Sequence, residues 1–208
     1  MRFVLASGSP RRSDLLTRLG FDFEVVPSTV DEESFVDGRP AALVRRIARA
    51  KAEDVASRET DAVVLAADTI VVLRGDVLNK PRDAGEAREM LTCLRGRWHR
   101  VITAVCVKAP GKRLRIGHVV TRVRIRPYEM HAIETSIARG EPFDKAGGYA
   151  IQDPDLAPVE SYQGCYCNVM GLPLWTSSGM LHSAGVTPSR VGDMPPGCDA
   201  CPLSASAV

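Results

Sequence analysis

Residues 7–12 (Ser-Gly-Ser-Pro-Arg-Arg) combine two serine hydroxyls and two guanidinium groups at the predicted start of a helix. They follow the apolar run 3–6, Ser9 is a favourable N-cap, and Pro10 suits the first helical position, so the pattern predicts a strand, a tight loop and a helix. A helix N-terminus favours anions through its unpaired N–H groups and its dipole. This turn is therefore a candidate phosphate-binding site, and an ordinary capped helix with solvated arginines is the alternative.

Asp68 lies where a central strand is predicted, between the apolar runs 62–67 and 70–73. Continuous apolar runs are typical of strands that are covered on both faces. A carboxylate in such a place is costly unless it is paired, hydrogen-bonded or bound to a cation. We interpret Asp68 as a functional residue at a break in this strand. The alternative is an aspartate that accepts local N–H groups at a strand bend.

Lys51 falls in the apolar stripe of a helix predicted over residues 40–58. An ammonium group on a buried face needs a partner. The alternative is that the Lys51 stem packs against the core while its ammonium group reaches water.

The charged candidates, taken together, fit one kind of chemistry. They comprise cations and carboxylates from several predicted loops and elements: Arg11, Arg12, Lys51, Lys80 and Lys145, with Asp31, Glu32, Asp68 and Asp144. Cationic side chains hold a polyphosphate, Mg²⁺ prefers a few carboxylates plus phosphate oxygens, and one carboxylate can deprotonate an attacking water. The mixture predicts a metal-assisted phosphoryl reaction. Walker A, GxGxxG, HExxH and GxSxG patterns do not occur in the sequence, so the enzyme classes that carry them are not supported.

The composition predicts a soluble, cytoplasmic protein with one main domain over 1–184 and a Pro/Gly/Ser/Cys-containing tail over 185–208. The chain has 208 residues, 45% hydrophobic and 25% charged, with a formal net charge of +2. A nucleic-acid polymer is not expected as a partner because the basic residues are spread along the chain. No apolar run has the length of a membrane span, and no signal peptide precedes the first strand.

Six cysteines in a reducing compartment argue against a disulfide framework. Cys165 with Cys167 and Cys198 with Cys201 could instead supply four thiolates to one Zn²⁺ or to an iron–sulfur cluster, which would pin the tail to the body. Reduced, unliganded cysteines in a flexible tail are the alternative.

The elements that must position these residues alternate between strand and helix. The pattern predicts a strand over 21–26, a helix from a capping box at 83–86 to about Gly96, and helices over 128–139 and 173–184. Residues 98–107 and 114–125 are predicted as a long antiparallel hairpin with one solvated face.

The sequence resembles the Maf family of nucleoside triphosphate pyrophosphatases over about residues 1–181. The motifs that carry this resemblance are 5–12, 31–32, 50–52, 67–69, 79–81, Gly96 with His99, 144–147, 151–152 and 168–173. The resemblance implies a long twisted mixed β-sheet with flanking helices in two lobes around a central cleft, an α/β fold. It also implies a homodimer.

The activity that this resemblance implies is hydrolysis of a nucleoside triphosphate to a monophosphate and pyrophosphate with a divalent cation, Mg²⁺ or Mn²⁺. The family's proton acceptor corresponds to Asp68, and its substrate-choice positions to Arg11, Thr69 and Gln152, in the combination of the dTTP/UTP-directed branch. We expect Glu32 and Asp68 to hold the metal, and Arg12, Lys51 and Lys80 to bind the phosphates. Ser7 and Lys145 complete the expected substrate site. The alternatives are a pyrophosphatase for modified nucleotides and a non-catalytic nucleotide sensor that regulates cell division.

Overall fold

A mixed β-sheet forms the centre of the computed structural model, which describes residues 1–35, 38–190, 192–195, 197–198 and 201–203. The described residues contribute seven strands: β1 (Phe3–Leu5), β2 (Glu24–Val25), β3 (Val63–Leu73), β4 (Asp76–Leu78), β5 (Trp98–Lys108), β6 (Arg115–Ile125) and β7 (Val159–Gln163). Their order is β2-β1-β3-β5-β6-β7, and β4 pairs with β3. β1 runs parallel to β2 and β3, whereas the other pairs are antiparallel.

Helices cover both faces of this sheet. They are α1 (Pro10–Arg18), α2 (Pro40–Arg58), α3 (Ala84–Leu94), α4 (Met130–Ala138), α5 (Tyr166–Met170) and α6 (Leu174–Ala184). On one face, α2 packs Val44 and Ala48 in a cluster with Val64 of β3. The predicted α/β fold with flanking helices is confirmed.

The opposite face of β3 carries two separate apolar cores. Leu65 and Ala67 belong to a core with α1 and α6, whereas Val71 and Leu73 belong to a core with α3 and α4. Successive side chains of a strand point to opposite faces, so Thr69 lies on this same face between the two cores. The polar residue at this position marks the place where the two lobes separate.

Several predicted elements are confirmed closely. α2 spans the predicted residues 40–58 and begins with a proline, whose missing N–H costs nothing there. At the start of α3 the Asp83 side chain accepts a hydrogen bond from Glu86 N at 2.9 Å, as the capping box predicts. The predicted strand 21–26 is reduced to the two residues of β2.

Asp68 does not break its strand, contrary to the sequence-based interpretation. β3 runs without interruption from Val63 to Leu73, and Asp68 pairs with Ala104 of β5 in a regular antiparallel ladder. The strand can continue because the buried carboxylate has a cationic partner, Lys51, at 2.8 Å. A paired carboxylate does not have to escape to solvent through a bend.

The solvated face predicted for the long hairpin is found on β6 but not on β5. Ile102 and Ala104 of β5 pack with α2, while Val105 and Val107 pack with the core around α6. Both faces of β5 are therefore covered. β7 and α5 were not predicted, because neither short segment has a clear apolar period.

The prediction that no disulfide forms is wrong: Cys167 of α5 and Cys198 of the C-terminal segment are joined. The chain after α6 turns back onto the body, where Ser189 N donates to Gly20 O at 2.9 Å and Asp193 N donates to Arg18 O at 2.7 Å. This course brings Cys198 against α5. No helix in the described ranges is long and apolar enough to cross a membrane.

Candidate active site

A cavity of about 820 Å³ opens between the two lobes, beside the middle of β3. Ten of the residues singled out from the sequence line it: Arg11, Arg12, Glu32, Lys51, Asp68, Thr69, Lys80, Asp144, Lys145 and Gln152. Ser7 is buried behind the wall, and the Asp31 side chain instead accepts a hydrogen bond from Glu33 N in a short turn. The cavity therefore collects cations and carboxylates from distant parts of the chain.

A buried lysine bridges two carboxylates in this cavity. Lys51 Nζ on α2 lies 2.8 Å from Asp68 Oδ1 on β3 and 2.7 Å from Glu32 Oε1 in the preceding loop. Lys51 and Asp68 are only 6% and 4% exposed, so their attraction is weakly screened by water. The alternative in which the ammonium group of Lys51 reaches water is thus excluded. Burial raises the pKa of Glu32, but Lys51, Lys80 and Arg12 outweigh it and hold that pKa below its usual value.

Arg12 lines the cavity and is fixed there by three hydrogen bonds. Its Nε donates to Gly171 O at 2.9 Å, its Nη1 to Ser7 Oγ at 3.0 Å, and its Nη2 to Thr69 Oγ1 at 3.2 Å. Ser7 Oγ also accepts from Ser9 N at 3.2 Å, which closes the turn that precedes α1. The structure thus gives Ser7 a role in positioning Arg12. Burial lowers the pKa of Arg12, although Asp68 and Glu32 favour its charged form.

A chain of hydroxyl groups continues from Arg12 into the sheet. Thr103 Oγ1 on β5 donates to Asn168 O at 2.9 Å, so the 3.0 Å contact between Thr69 Oγ1 and Thr103 Oγ1 has Thr69 as its donor. The Thr69 proton is therefore committed to Thr103, and the cavity side of the hydroxyl can only accept. Asn168 Nδ2 in turn donates to Val101 O at 3.1 Å.

Sequence reasoning missed Thr103 and did not assign Asn168 a role. Thr103 is a buried hydroxyl in a strand whose other central residues are apolar, and Asn168 is a buried amide. A polar residue inside a predicted apolar strand is a usable signal, because a buried hydroxyl needs a hydrogen-bond partner. The partner of each hydroxyl could not be found without the pairing of β3 with β5.

An ion-pair cluster around Asp144 also lines the cavity. Arg11 Nη1 lies 2.9 Å from Asp144 Oδ2, and Lys145 Nζ lies 2.6 Å from Asp144 Oδ1. Burial raises the pKa of Asp144, but Lys145 and Arg11 outweigh it and lower the pKa below its usual value. Lys80 is exposed at the rim, and no carboxylate in the described part of the chain forms an ion pair with it.

Tyr149 lines the cavity and rests on a buried histidine. Its hydroxyl lies 2.6 Å from His99 Nε2, and the two rings meet edge to face. Burial lowers the pKa of His99 to about 4, so the imidazole is neutral at pH 7. Burial also raises the pKa of Tyr149, so its hydroxyl stays protonated.

This arrangement can bind an extended polyanion and supply a proton acceptor beside it. Arg12, Lys51 and Lys80 line the same cavity as the Asp68 carboxylate, and Lys51 contacts that carboxylate directly. Positive groups fixed before the ligand arrives stabilise charge that develops during phosphoryl chemistry. The geometry therefore supports hydrolysis of a phosphate anhydride.

The comparisons with known proteins agree with this geometry. A family model for Maf-like proteins matches residues 2–184. A dTTP/UTP pyrophosphatase of Thermomicrobium roseum is 53% identical, with 100% of this chain and 96% of that protein covered. One of Anaeromyxobacter sp. is 49% identical, with 88% and 90% covered. Among solved structures, a nucleoside-triphosphatase (dITP/XTP pyrophosphatase) of Mycobacterium abscessus has a TM-score of 0.43 and 18% identity, over 62% of this chain and 76% of that one. With a family match over nearly its full length and relatives of this similarity, the chain belongs to the Maf family.

Proposed function

We propose that this protein hydrolyses nucleoside triphosphates, dTTP and UTP, to the nucleoside monophosphate and pyrophosphate. The observation that carries this proposal is the buried Lys51 ammonium group between Glu32 and Asp68, on the wall of a cavity lined by further cations. The names of relatives that are 53% and 49% identical support the choice of substrates.

Asp68 accepts the proton of the water that attacks the α-phosphate. Its Oδ1 is fixed by Lys51, so the carboxylate keeps one orientation against the cavity. Lys51, Lys80 and Arg12 bind the triphosphate and offset its charge, and Ser7 holds Arg12 in place. An orienting group and a general base together account for rate factors of about 10²–10⁴ in enzymes.

The Glu32 and Asp68 carboxylates fit a divalent cation, Mg²⁺ or Mn²⁺, because both already converge on one positive centre. Such a cation supplies Lewis-acid activation of the phosphate when it is bound. Mg²⁺ takes one or two carboxylates and completes its shell with phosphate oxygens and water.

Selection of the pyrimidine base rests on the direction of the Thr69 hydrogen bond. The Thr69 hydroxyl donates to Thr103 and accepts from Arg12 Nη2, so its second lone pair is the acceptor that it can offer to a base in the cavity. Uracil and thymine present one N–H between two carbonyl groups, which requires an acceptor flanked by donors. Thr69 supplies the acceptor, and Arg11 and the Gln152 amide, which line the same cavity, supply donors.

The other family-based expectations belong to this proposal. They are a homodimer, a cytoplasmic location, no nucleic-acid polymer or membrane as partner, and a catalytic domain over 1–184 followed by a tail over 185–208. Gel filtration with light scattering measures the first of these directly.

The proposal is tested by pyrophosphate release from a panel of nucleoside triphosphates with Mg²⁺ or Mn²⁺. We expect dTTP and UTP to be the best substrates, and Asp68→Asn to lower kcat by ~10²-fold or more while nucleotide binding is retained. Asp14→Asn, which changes an exposed carboxylate paired with Arg18, is the matched control and should leave kcat unchanged. Unchanged turnover in Asp68→Asn removes that residue from the role of base. Nucleotide binding without turnover in the unmodified protein would favour the sensor instead.

A further inference from the structure

Four cysteines from two short segments meet in one buried place next to α5 and α6. Cys165 and Cys167 lie at the start of α5, and Cys198 and Cys201 lie in the C-terminal segment. All four belong to the same apolar core, and none is more than 3% exposed. The other members of this core are apolar residues.

The contacts pair each sulfur of one segment with a sulfur of the other. Cys167 is joined to Cys198, and the Cys165 and Cys201 side chains share a hydrogen bond. Cys201 N donates to Cys198 O at 3.1 Å, which holds these two cysteines close to each other. Two pairs that each join one segment to the other bring all four sulfurs into the same part of the core.

The Cys165 side chain lies at the start of α5 and accepts backbone hydrogen bonds there. Asn168 N donates to Cys165 Sγ at 3.4 Å, and the Cys167 amide donates to the same sulfur. These contacts fix the position of the Cys165 sulfur, whereas burial in the apolar core raises the pKa of its thiol to about 12.

We propose that reduction of the Cys167–Cys198 bond converts this cluster into a structural Zn²⁺ site with Cys165, Cys167, Cys198 and Cys201 as its four ligands. Zn²⁺ in structural sites is tetrahedral, and four thiolates in pairs separated by a few residues form a common ligand set. In the disulfide form described above, no group of three such side chains in the described ranges is placed to hold a metal ion.

The conversion takes place in two steps, reduction of the disulfide and then binding of Zn²⁺. A dithiol reductant transfers two electrons and two protons to the disulfide, which becomes two thiols while the reductant forms its own disulfide. Zn²⁺ then replaces four thiol protons, which are released to solvent, and four Zn–S bonds form. Both the disulfide and the Zn²⁺ site link the C-terminal segment to α5. They are therefore alternative ways of attaching this segment to the rest of the protein.

The test is the metal content of the full chain, which does not depend on enzyme activity. The protein is reduced with a phosphine under anaerobic conditions, incubated with Zn²⁺, desalted and analysed by mass spectrometry for metals. We expect one Zn²⁺ per chain, and with Co²⁺ in its place the thiolate charge-transfer and intense visible bands of a tetrahedral site. Less than stoichiometric zinc in the fully reduced protein, or bound iron with inorganic sulfide, overturns the proposal.

Matched serine variants identify the ligands. Cys165→Ser and Cys201→Ser keep the Cys167–Cys198 pair, so their folding can be checked in the oxidised form before reduction. Each should lose stoichiometric Zn²⁺, whereas Cys93→Ser and Cys106→Ser, which change cysteines outside the cluster, should retain it. Retention of a full equivalent by Cys165→Ser or Cys201→Ser refutes the four-thiolate site. Failure of the proposed pyrophosphatase activity would leave this result unaffected.

Discussion

Replacing Lys51 by methionine removes the cation that two cavity carboxylates share, and the structure sets the size of the effect. Lys51 Nζ lies 2.8 Å from Asp68 Oδ1, and both residues are almost completely buried. Methionine fills a similar volume, so the substitution leaves little empty space in the core. The loss of stability is therefore mainly electrostatic. Removing one partner of a buried ion pair costs about 3–5 kcal/mol, because the other charge is left without compensation. For a chain of this size that corresponds to a fall in Tm of roughly 10 °C.

Replacing Asp68, the ion-pair partner of Lys51, should lower the stability by a smaller amount. Asp68→Asn leaves the Lys51 ammonium group with Glu32, at 2.7 Å, so we expect a loss of about 1–2 kcal/mol. The double variant removes both buried charges. Its loss should fall short of the sum of the single losses by about 1–3 kcal/mol, as for other directly contacting pairs.

The assay is urea unfolding of the wild type, the two single variants and the double variant at pH 7, in the absence of nucleotide and metal. Arg49→Met is the matched control, since Arg49 also lies on α2 but forms an exposed ion pair with Glu53, and it should change stability little. Losses for Lys51→Met and Asp68→Asn that add to within about 0.5 kcal/mol in the double variant would falsify the coupling.

Two further predictions concern buried polar groups. His99 has a pKa of about 4 in the folded protein against an ordinary 6.5, so its contribution to stability is complete above pH 6.5 and is lost as the pH falls toward 4. The full loss is ~3 kcal/mol, of which about 2 kcal/mol should appear between pH 7 and pH 4.5. Unfolding measured at these two pH values should show this loss in the wild type and a smaller pH dependence in His99→Gln. Equal slopes for the two proteins would contradict the prediction. Asn168→Ala removes the Nδ2 donors to Val101 O and Thr121 Oγ1 and should cost about 2 kcal/mol or more in urea unfolding. The exposed control Ser183→Ala should have little effect, and an Asn168→Ala loss no larger than that of this control would show that the two acceptors find other donors.

The helices were predictable where local chemistry decides them. Pro40 fixes the start of α2 and the spacing of Val44, Ala48 and Val55 fixes its buried face, so its limits follow from the sequence alone. The course of β3 through Asp68 was not predictable in this way. It depends on Lys51, which lies on another element, and only the packing of α2 on β3 brings the two charges together.

For the cavity, too, some features could be predicted from the sequence and others could not. The residues that line it could be collected from the sequence because charged side chains at predicted loops and strand ends are conspicuous, and the family resemblance ordered them. The contacts between these residues could not be predicted from the sequence. The hydrogen bonds from Arg12 to Gly171 and from Thr103 to Asn168 join segments that are far apart in the chain, and no local pattern specifies such pairs.

Arg12 is held by three hydrogen bonds before any ligand arrives, whereas Lys80 is exposed at the rim of the cavity. The rotamer entropy of Arg12 is therefore lost during folding, and its attraction for a phosphate is not reduced by a second ordering step. Lys80 must be immobilised when the polyphosphate binds, at about 0.5–1.5 kcal/mol. Stiffening the loop that carries Lys80 should therefore tighten nucleotide binding more than a further positive charge on the rim.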